Sequence, residues 1–322
     1  MTPCAPNVVL LDAGHLLYHV VWPVSWIIGD LAASFGTRLA HYPPVSKKII
    51  LFDRYDQDAP SAKDHKRTRR GRAKEVRLTP NIFIPCREEV ILHNSKNKNL
   101  LNQTLCSYPL PHNTQLVNML DCVVDDIDVF VLLVYWTSRM RVVAKIQMEK
   151  WNGDVLDINE TVQRLGPKKC SQLLGIHALS GCDTVSYPFG RGKKSALKLL
   201  EIDIPGLDQV LGQPGATHAQ LQETAYTFFL PLYGQKGCTT MNDARGHFYR
   251  GHKKPPPLKL HVLRAYLQML LWKAADKRDP PEEARNIAYF GLIIEGSAIT
   301  TAVSTAPVAP QALLDAVSYS CS

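Results

Sequence analysis

The chain has 322 residues, of which 45% are hydrophobic, so its composition predicts a packed core and excludes a disordered protein. Its 37 lysines and arginines exceed its 29 aspartates and glutamates, and the resulting net charge of +8 favours a polyanionic partner. The eight cysteines form no CxxC pair, which argues against a zinc knuckle and against a disulfide scaffold.

The N-terminal part of the chain predicts neither a secretion signal nor a membrane span. The first residues, MTPCAPNVVLLD, lack a basic region and reach Asp12 early. The apolar stretch at 16–35 is interrupted by Pro23 and Asp30. We therefore expect an intracellular protein, nuclear or cytoplasmic, with reduced thiols and no membrane partner.

Three short apolar segments each end at aspartates. Residues 7–11 precede Asp12 and residues 48–52 precede Asp53, whereas residues 122–124 precede Asp125, Asp126 and Asp128. Continuously apolar strands of this kind are typical of a parallel sheet covered on both faces, and ligands bind beyond the carboxyl ends of such strands. A single aspartate there is commonly a helix cap, but several of them favour a shared acidic site.

A basic run, KDHKRTRRGRAK at 63–74, follows the second of these strands. It holds seven lysines and arginines in twelve residues, among them Lys66, Arg67, Arg69, Arg70 and Arg72. Such a run is commonly a solvated loop. Because it follows a strand that ends at an aspartate, the run could also bind phosphates, and that binding would be sensitive to salt.

The stretch 174–200 joins an acidic residue to a basic turn. An apolar run ends at Asp183, and the glycines Gly190 and Gly192 then precede Lys193 and Lys194 at the start of a predicted helix. A carboxylate suits a metal ion and a glycine turn that enters a helix suits a phosphate, so the pair indicates a metal-dependent site for a phosphodiester. The Walker pattern is not met.

The remaining segments give a mixed set of predicted elements. Residues 95–118 are Asn-rich and predict either little structure or a helix that ends before Pro109. Strands are predicted at 142–146 and 155–158, and helices at 159–165, 167–175, 205–211 and 218–233. After Pro257, a helix places an apolar stripe on one face, and packing against the sheet is favoured over a partner groove; the stripe consists of Leu263, Tyr266, Leu267, Leu270 and Leu271. The end of the chain, from about Ser297, predicts a tail.

Taken in order, these motifs resemble the flap-endonuclease (5′-nuclease) branch of the PIN-like nuclease superfamily. The segments that carry the resemblance are VVLLDAGHLLY, IILFD with its basic run, DDIDVFVLL, and LSGCD followed by GRGKKSALKLL. They span residues 7–275, and within the branch they are closest to multi-copy animal proteins of mobile-element origin.

The resemblance implies a set of metal ligands and a set of nucleic-acid contacts. The carboxylates that would hold two Mg²⁺ or Mn²⁺ ions over a scissile phosphate are Asp12, Asp53, Asp126, Asp128 and Asp183. The turn from Gly190 to Lys194 would correspond to the family's hairpin that holds duplex phosphate. The implied partner is nucleic acid, with DNA favoured.

One family feature is missing from the sequence. The family supplies further carboxylates from a helix just before the third strand, in an acid-Ala-acid pattern. The corresponding stretch here, residues 110–122, contains only Asp121 and is too short for that helix. The resemblance therefore predicts a weakened metal site in which the helix-borne carboxylates are deleted.

The sequence thus predicts an α/β fold of the PIN-like three-layer α/β/α type, with a mostly parallel central sheet and a helical C-terminal region. We expect a nuclease-type domain at 1–200 that includes the turn at 188–200, a helical region at 201–290 packed on it, and a flexible tail at 291–322. The functional hypothesis is a metal-dependent, structure-specific nuclease-like protein that acts on or binds branched nucleic acid and whose activity is lost or reduced because the helix-borne carboxylates are deleted. Two alternatives are a nucleic-acid-binding module without catalysis and an interaction protein that uses the helical C-terminal half.

Overall fold

The computed structural model divides the chain into two compact units. One comprises Met1–Val129 with Glu149–Asp154, and the other comprises Phe130–Met148 with Val155–Ser322. The structure describes residues 8–22, 25–42, 47–53, 76, 78–79, 81–84, 91–92, 94–111, 114–119, 127–140, 144–150, 154–182, 184–188, 190–234, 258–277, 279–295 and 298–302.

The first unit is built on a parallel sheet of three strands. These are β1 (Val8–Asp12), β2 (Lys47–Asp53) and β3 (Thr114–Met119), with β2 in the middle. The first two strands form where the sequence is continuously apolar and rich in valine and isoleucine, residues that fit a pleated, buried surface. The predicted α/β class and the parallel sheet are confirmed.

The helices of this unit whose bounds the structure describes are α1 (Ala13–Tyr18), α2 (Ile28–Leu39) and α3 (Ser95–Ser107). Leu11 of β1 and Ile50 of β2 join the side chains of these helices in one core, which includes Leu16, Leu17, Leu31, Phe35, Leu101 and Leu105. Val8 and Leu10 alternate with these core positions along β1 and are 50% and 55% exposed. Among the described residues of this unit, helices therefore pack on one face of β1, and the three-layer α/β/α arrangement stays a prediction.

The third strand lies earlier in the chain than predicted. We expected it at 122–124, which falls outside the described residues, but the strand paired with β2 is Thr114–Met119. Its sequence, TQLVNM, has polar residues at half its positions and so lacks the continuous apolar pattern. The helical alternative for the Asn-rich segment is confirmed, because α3 ends at Ser107, before Pro109.

The second unit is mainly helical. Its helices are α4 (Ile127–Met140, which begins at the end of the first unit), α5 (Ile158–Leu179), α6 (Lys193–Leu197), α7 (His218–Leu232) and α8 (Leu258–Lys273). Short 3-10 helices cover Lys198–Glu201, Glu282–Arg285 and Ile287–Phe290. A two-stranded sheet pairs β4 (Gln147–Glu149) with β5 (Val155–Asp157).

Helix α5 joins the two helices predicted at 159–165 and 167–175 across a break. Gly166 has φ +75° and ψ 164°, a conformation that glycine adopts readily, and Pro167 follows it. The predicted helix at 218–233 is confirmed as α7. The segment predicted as a helix at 205–211 forms turns instead, with Gly206 at φ +75°.

Helix α8 lies at the centre of the second unit. The predicted stripe is largely buried, but so are residues on the helix's other sides, namely His261, Val262, Arg264 and Ala265, whereas Leu271 is 38% exposed. The helix therefore packs on several sides within its own unit, including against α5 and α7. This arrangement removes the apolar stripe as a surface for a partner.

Two of the predicted domain boundaries differ from the structure. Leu174 of α5 and Leu200, which we assigned to the nuclease-type domain, share one core with Phe228 and Tyr266 of the C-terminal helices. The segment that we predicted as a flexible tail from 291 forms an antiparallel hairpin of β6 (Leu292–Glu295) and β7 (Ala298–Thr301). Its isoleucines and threonines favour strands. Residues 303–322 lie outside the described part of the chain.

Candidate metal and nucleic-acid site

Asp12 stands at the carboxyl end of β1 and caps helix α1. The residue is 6% exposed, and its Oδ1 accepts a hydrogen bond of 2.7 Å from the backbone N–H of Gly14. A Cβ atom at position 14 would lie 3.2 Å from this oxygen, so glycine gives the carboxylate room to bend over the first turn. The helix-cap alternative that we considered for these aspartates is thus confirmed for Asp12.

The strand register brings the positions of Asp12 and Asp53 together. Asp12 pairs with Leu51 of the neighbouring strand, and Asp53 ends that strand two residues later. Because residues two apart in a strand belong to the same face, both aspartate positions lie on one face and at the same end of the sheet. The structure describes the backbone of Asp53 but not its side chain.

The other three predicted ligands are less completely described. Asp128 lies in the first turn of α4, where a negative charge interacts favourably with the helix dipole. Asp126 and Asp183 fall outside the described residues. Among the side chains that the structure does describe, no group of three or more His, Cys, Asp or Glu comes together.

The helix before the third strand is present but carries no acid. With the third strand at 114–119, this helix is α3, whose sequence SKNKNLLNQTLCS contains neither aspartate nor glutamate. We expected this helix to be deleted because we placed the third strand at 122–124; that α3 corresponds to the family's helix stays a prediction. The acids nearest to it upstream are Glu88 and Glu89, which precede a helical segment at Ile91 and Leu92 and lie outside the described residues.

The basic turn leads into α6 through two glycines. Gly190 has φ +67°, and Gly192 occupies the N-cap position of α6. Helix α6 has only 5 residues. The guanidinium of Arg191 lies 5.8 Å from the ring centroid of Tyr233, and Lys194 is exposed. The predicted basic loop with Lys66, Arg67, Arg69, Arg70 and Arg72 lies outside the described residues.

Lys193 has a role that the sequence interpretation did not foresee. Its Nζ donates to the carbonyl oxygen of His177 (2.7 Å), to Nδ1 of His177 (2.8 Å) and to Oγ of Ser180 (3.0 Å). The ring of His177 also stacks on Trp272, with ring centroids 5.5 Å apart. All three N–H groups of the ammonium therefore have protein acceptors at the end of α5.

The loop that follows α5 is tied to α8 by side chains. Nε2 of the buried His261 donates to the carbonyl oxygen of Leu179 (2.8 Å), and its Nδ1 accepts from the hydroxyl of Ser186 (3.0 Å). Burial is the main cause that lowers the pKa of His261 from 6.5 to about 4, and the charge of Arg264 lowers it further. The ring is therefore neutral at physiological pH. Thr184 also donates to Gln268.

Comparison of the chain with protein-family models, with curated proteins and with solved structures gives no match. Within the described residues, every helix is too short or too polar to cross a membrane.

Proposed function

We propose that this chain is a PIN-like protein of the flap-endonuclease branch. It binds branched nucleic acid at a site that also holds a divalent metal ion. The observation that best supports the proposal is the placement of Asp12 and Asp53 at the same end and face of adjacent parallel strands. In open α/β sheets, ligands bind beyond the carboxyl ends of the strands. Two acidic positions at that edge are what a cation site requires.

The residue types fit Mg²⁺ or Mn²⁺. Both ions prefer hard oxygen ligands, which carboxylates supply. In the pattern of the family, Asp126 and Asp128 extend the ligand set begun by Asp12 and Asp53. When bound, the metal supplies charge neutralisation at the scissile phosphate and an acidified water.

The acid-free helix α3 limits the expected catalysis. Hydrolysis by two metal ions requires that carboxylates offset the charge of both ions, and α3 contributes none. We expect one metal position to be better formed than the other. Cleavage should then be absent with Mg²⁺ and, if present at all, appear only with Mn²⁺, which tolerates looser geometry.

Nucleic acid is the partner that the charge distribution favours. The net charge is +8, and the basic run at 63–74 is the next basic segment of the chain after β2, the strand that ends at Asp53. Lys194 is exposed beside the glycine turn of the second unit. Binding should therefore depend strongly on salt, because each phosphate contact releases counterions. DNA is the favoured form.

A nucleic-acid-binding module without catalysis is the second candidate, and the lack of acids in α3 is the observation that favours it. The two candidates differ in metal dependence. A pure binding module needs no divalent ion for affinity, whereas the nuclease-like protein should bind a metal at the strand ends.

The test is incubation of the purified full chain with an end-labelled flap DNA in Mg²⁺ or Mn²⁺, together with an Asp126→Asn variant. We expect that the variant abolishes any Mn²⁺-dependent cleavage and leaves DNA affinity equal or higher, because a negative charge near the phosphates is gone. Robust Mg²⁺-dependent cleavage that the variant loses would show that the acid-free helix does not limit turnover. Failure of the wild type to bind flap DNA would contradict the proposed function.

A further inference from the structure

Tyr187 is an exposed aromatic residue in a unit whose other described aromatic residues are mostly buried. It is 61% exposed, whereas Tyr135, Phe228, Phe229, Tyr233, Tyr266 and Phe290 are each at most 7% exposed. It lies in the loop between the end of α5 and the glycine turn that enters α6. An aromatic ring at the surface offers a large apolar area to a bound group.

The backbone seats this tyrosine closely on a glycine. Gly181 has φ +97°, and a Cβ atom built on it would lie 2.7 Å from Cδ1 and 2.9 Å from Cα of Tyr187. Only glycine fits this contact without displacement of the tyrosine. Tyr187 is therefore held in place by backbone packing while most of its surface remains open to solvent.

Other described residues of the loop are also held by hydrogen bonds. Cys182 and Val185 exchange backbone hydrogen bonds of 3.1 and 3.3 Å across a turn. Ser186, the immediate neighbour of Tyr187, is bound to the buried His261, and Thr184 is bound to Gln268. These two anchors lie on α8, the central helix of the unit. A rigid loop presents an aromatic ring at a low entropic cost for binding.

Basic residues lie a few positions after the ring in the chain, beginning with Arg191. The N–H of Arg191 donates to the carbonyl oxygen of Pro188 (3.2 Å), which places the basic turn next to Tyr187. Lys194 and Lys198 are both exposed. A fixed aromatic ring beside backbone-binding cations is the combination that proteins use for unpaired nucleotides, because every base has a face that can stack.

We infer that Tyr187 is a stacking platform for an unpaired base of bound DNA, beside the basic turn at Gly190–Lys194. The inference rests on the proposed function and specifies it, because it assigns the unpaired nucleotides of a branched DNA to the second unit. The contact tolerates any base and depends on the ring rather than on the hydroxyl.

The test compares Tyr187→Leu, which keeps an apolar side chain without a ring, with Tyr187→Phe, which keeps the ring. Tyr289→Leu is the matched control, because Tyr289 is also exposed (40%) in the same unit. Fluorescence anisotropy of the full chain measures affinity for a duplex with an unpaired arm and for the same duplex without it. Thermal unfolding of each variant confirms that it is folded.

Tyr187→Leu should weaken binding of the armed duplex by about tenfold to a hundredfold, the range expected for one lost stacking contact. Tyr187→Phe and Tyr289→Leu should bind like the wild type, and all variants should bind the plain duplex equally. A 2-aminopurine base in the arm should be quenched by the wild type and by Tyr187→Phe but not by Tyr187→Leu. If the wild type and Tyr187→Leu bind the duplex with the unpaired arm equally well, the inference about Tyr187 is wrong while the proposed function is unaffected. If the wild type binds neither DNA, both are wrong.

Discussion

Lys193 places a positive charge at the C-terminal end of α5, where backbone carbonyl groups lack partners within the helix. It binds the carbonyl oxygen of His177 and the hydroxyl of Ser180, the C-cap residue. A cation at this end also interacts favourably with the helix dipole. The side chain thus joins the start of α6 to the end of α5, which fixes both ends of the loop that carries Tyr187.

Replacement of Lys193 should therefore affect folding. Lys193→Ala should lower the free energy of unfolding by about 2 kcal/mol, because hydrogen bonds from a charged donor are lost and their acceptors are left partly buried. Lys194→Ala is the matched control and should change it by less than about 0.5 kcal/mol, since Lys194 is exposed. Urea denaturation measures both. Equal and small effects would show that the Lys193 contacts do not stabilise the protein.

His261 makes the stability of the second unit dependent on pH. In the folded protein its pKa is about 4, and burial is the main cause. In the unfolded chain the ring titrates near 6.5. As the pH falls from 6.5 towards 4, the unfolded chain gains a proton that the folded protein does not bind, so stability decreases over this window and is fully present above it.

The expected loss is about 1.4 kcal/mol for each pH unit in that window, or about 3 kcal/mol in total. His261→Gln removes the titrating group and keeps an amide that can donate to Leu179, so its stability should be flatter between pH 6.5 and 4. Denaturation midpoints at several pH values test this. If the wild type and the variant had parallel pH profiles, another group would be responsible for the acid sensitivity.

At the scale of elements, one buried arginine organises the C-terminal hairpin. Nη2 of Arg264 on α8 donates to the carbonyl oxygens of Gly291 and Ala302, each at 3.0 Å. These two residues flank the β6–β7 hairpin, so the guanidinium holds both of its ends. Burial lowers the pKa of Arg264. Its Nε has no hydrogen-bond partner among the described residues.

Arg264→Met should release this hairpin, because methionine fills the space without a donor for the two carbonyl groups. Hydrogen–deuterium exchange at Leu292–Glu295 and Ala298–Thr301 should become faster while exchange in α5 stays slow. Arg285→Met serves as the control, since Arg285 is exposed in the same region. Unchanged exchange in the hairpin would mean that strand pairing alone holds it.

The elements differ in how far the sequence predicts them. Strands β1 and β2 and helices α5 and α7 have continuous or periodic apolar patterns, and each was predicted near its place. Strand β3 was missed because its polar residues Gln115 and Asn118 interrupt the apolar pattern. The prediction followed the apolar segment at 122–124 instead, which lies outside the described residues. The hairpin at 292–301 was missed because Arg264, which binds both of its ends, is remote in sequence.

Some features of the candidate site could likewise be predicted from the sequence and others could not. The aspartates at strand ends could be predicted because their placement follows from strand position alone, and the register brings Asp12 and Asp53 to one face. The partners of Lys193 and the contact between Ser186 and His261 could not be predicted, since they depend on how the loop after α5 folds back onto helices formed elsewhere in the chain.

At the scale of the whole molecule, each of the two units carries part of the proposed function. The strand-end aspartates belong to the first unit, and the glycine turn with Lys194 and Tyr187 belongs to the second. The acidic positions would hold the metal, and the basic segments would hold the phosphate backbone. The net charge of +8 favours the approach of a polyanion to the whole protein.

The basic loop provides a test of this electrostatic contribution. Replacement of Arg67, Arg69, Arg70 and Arg72 by alanine should weaken DNA binding and flatten its dependence on salt, because each lost phosphate contact releases about one counterion fewer. Anisotropy titrations at several salt concentrations give the slope. A slope equal to that of the wild type would favour the interaction-protein alternative.

The central claim is that Asp12 and Asp53 share a divalent cation, and Mn²⁺ binding followed by electron paramagnetic resonance tests it most directly. The wild type should bind Mn²⁺ stoichiometrically, and Asp12→Asn and Asp53→Asn should each lose this site. Asparagine can still cap α1, so Asp12→Asn should remain folded. Asp154→Asn, a change at an exposed residue of the same unit, should bind Mn²⁺ like the wild type. A wild type without stoichiometric Mn²⁺, or a site that survives both substitutions, would contradict the claim.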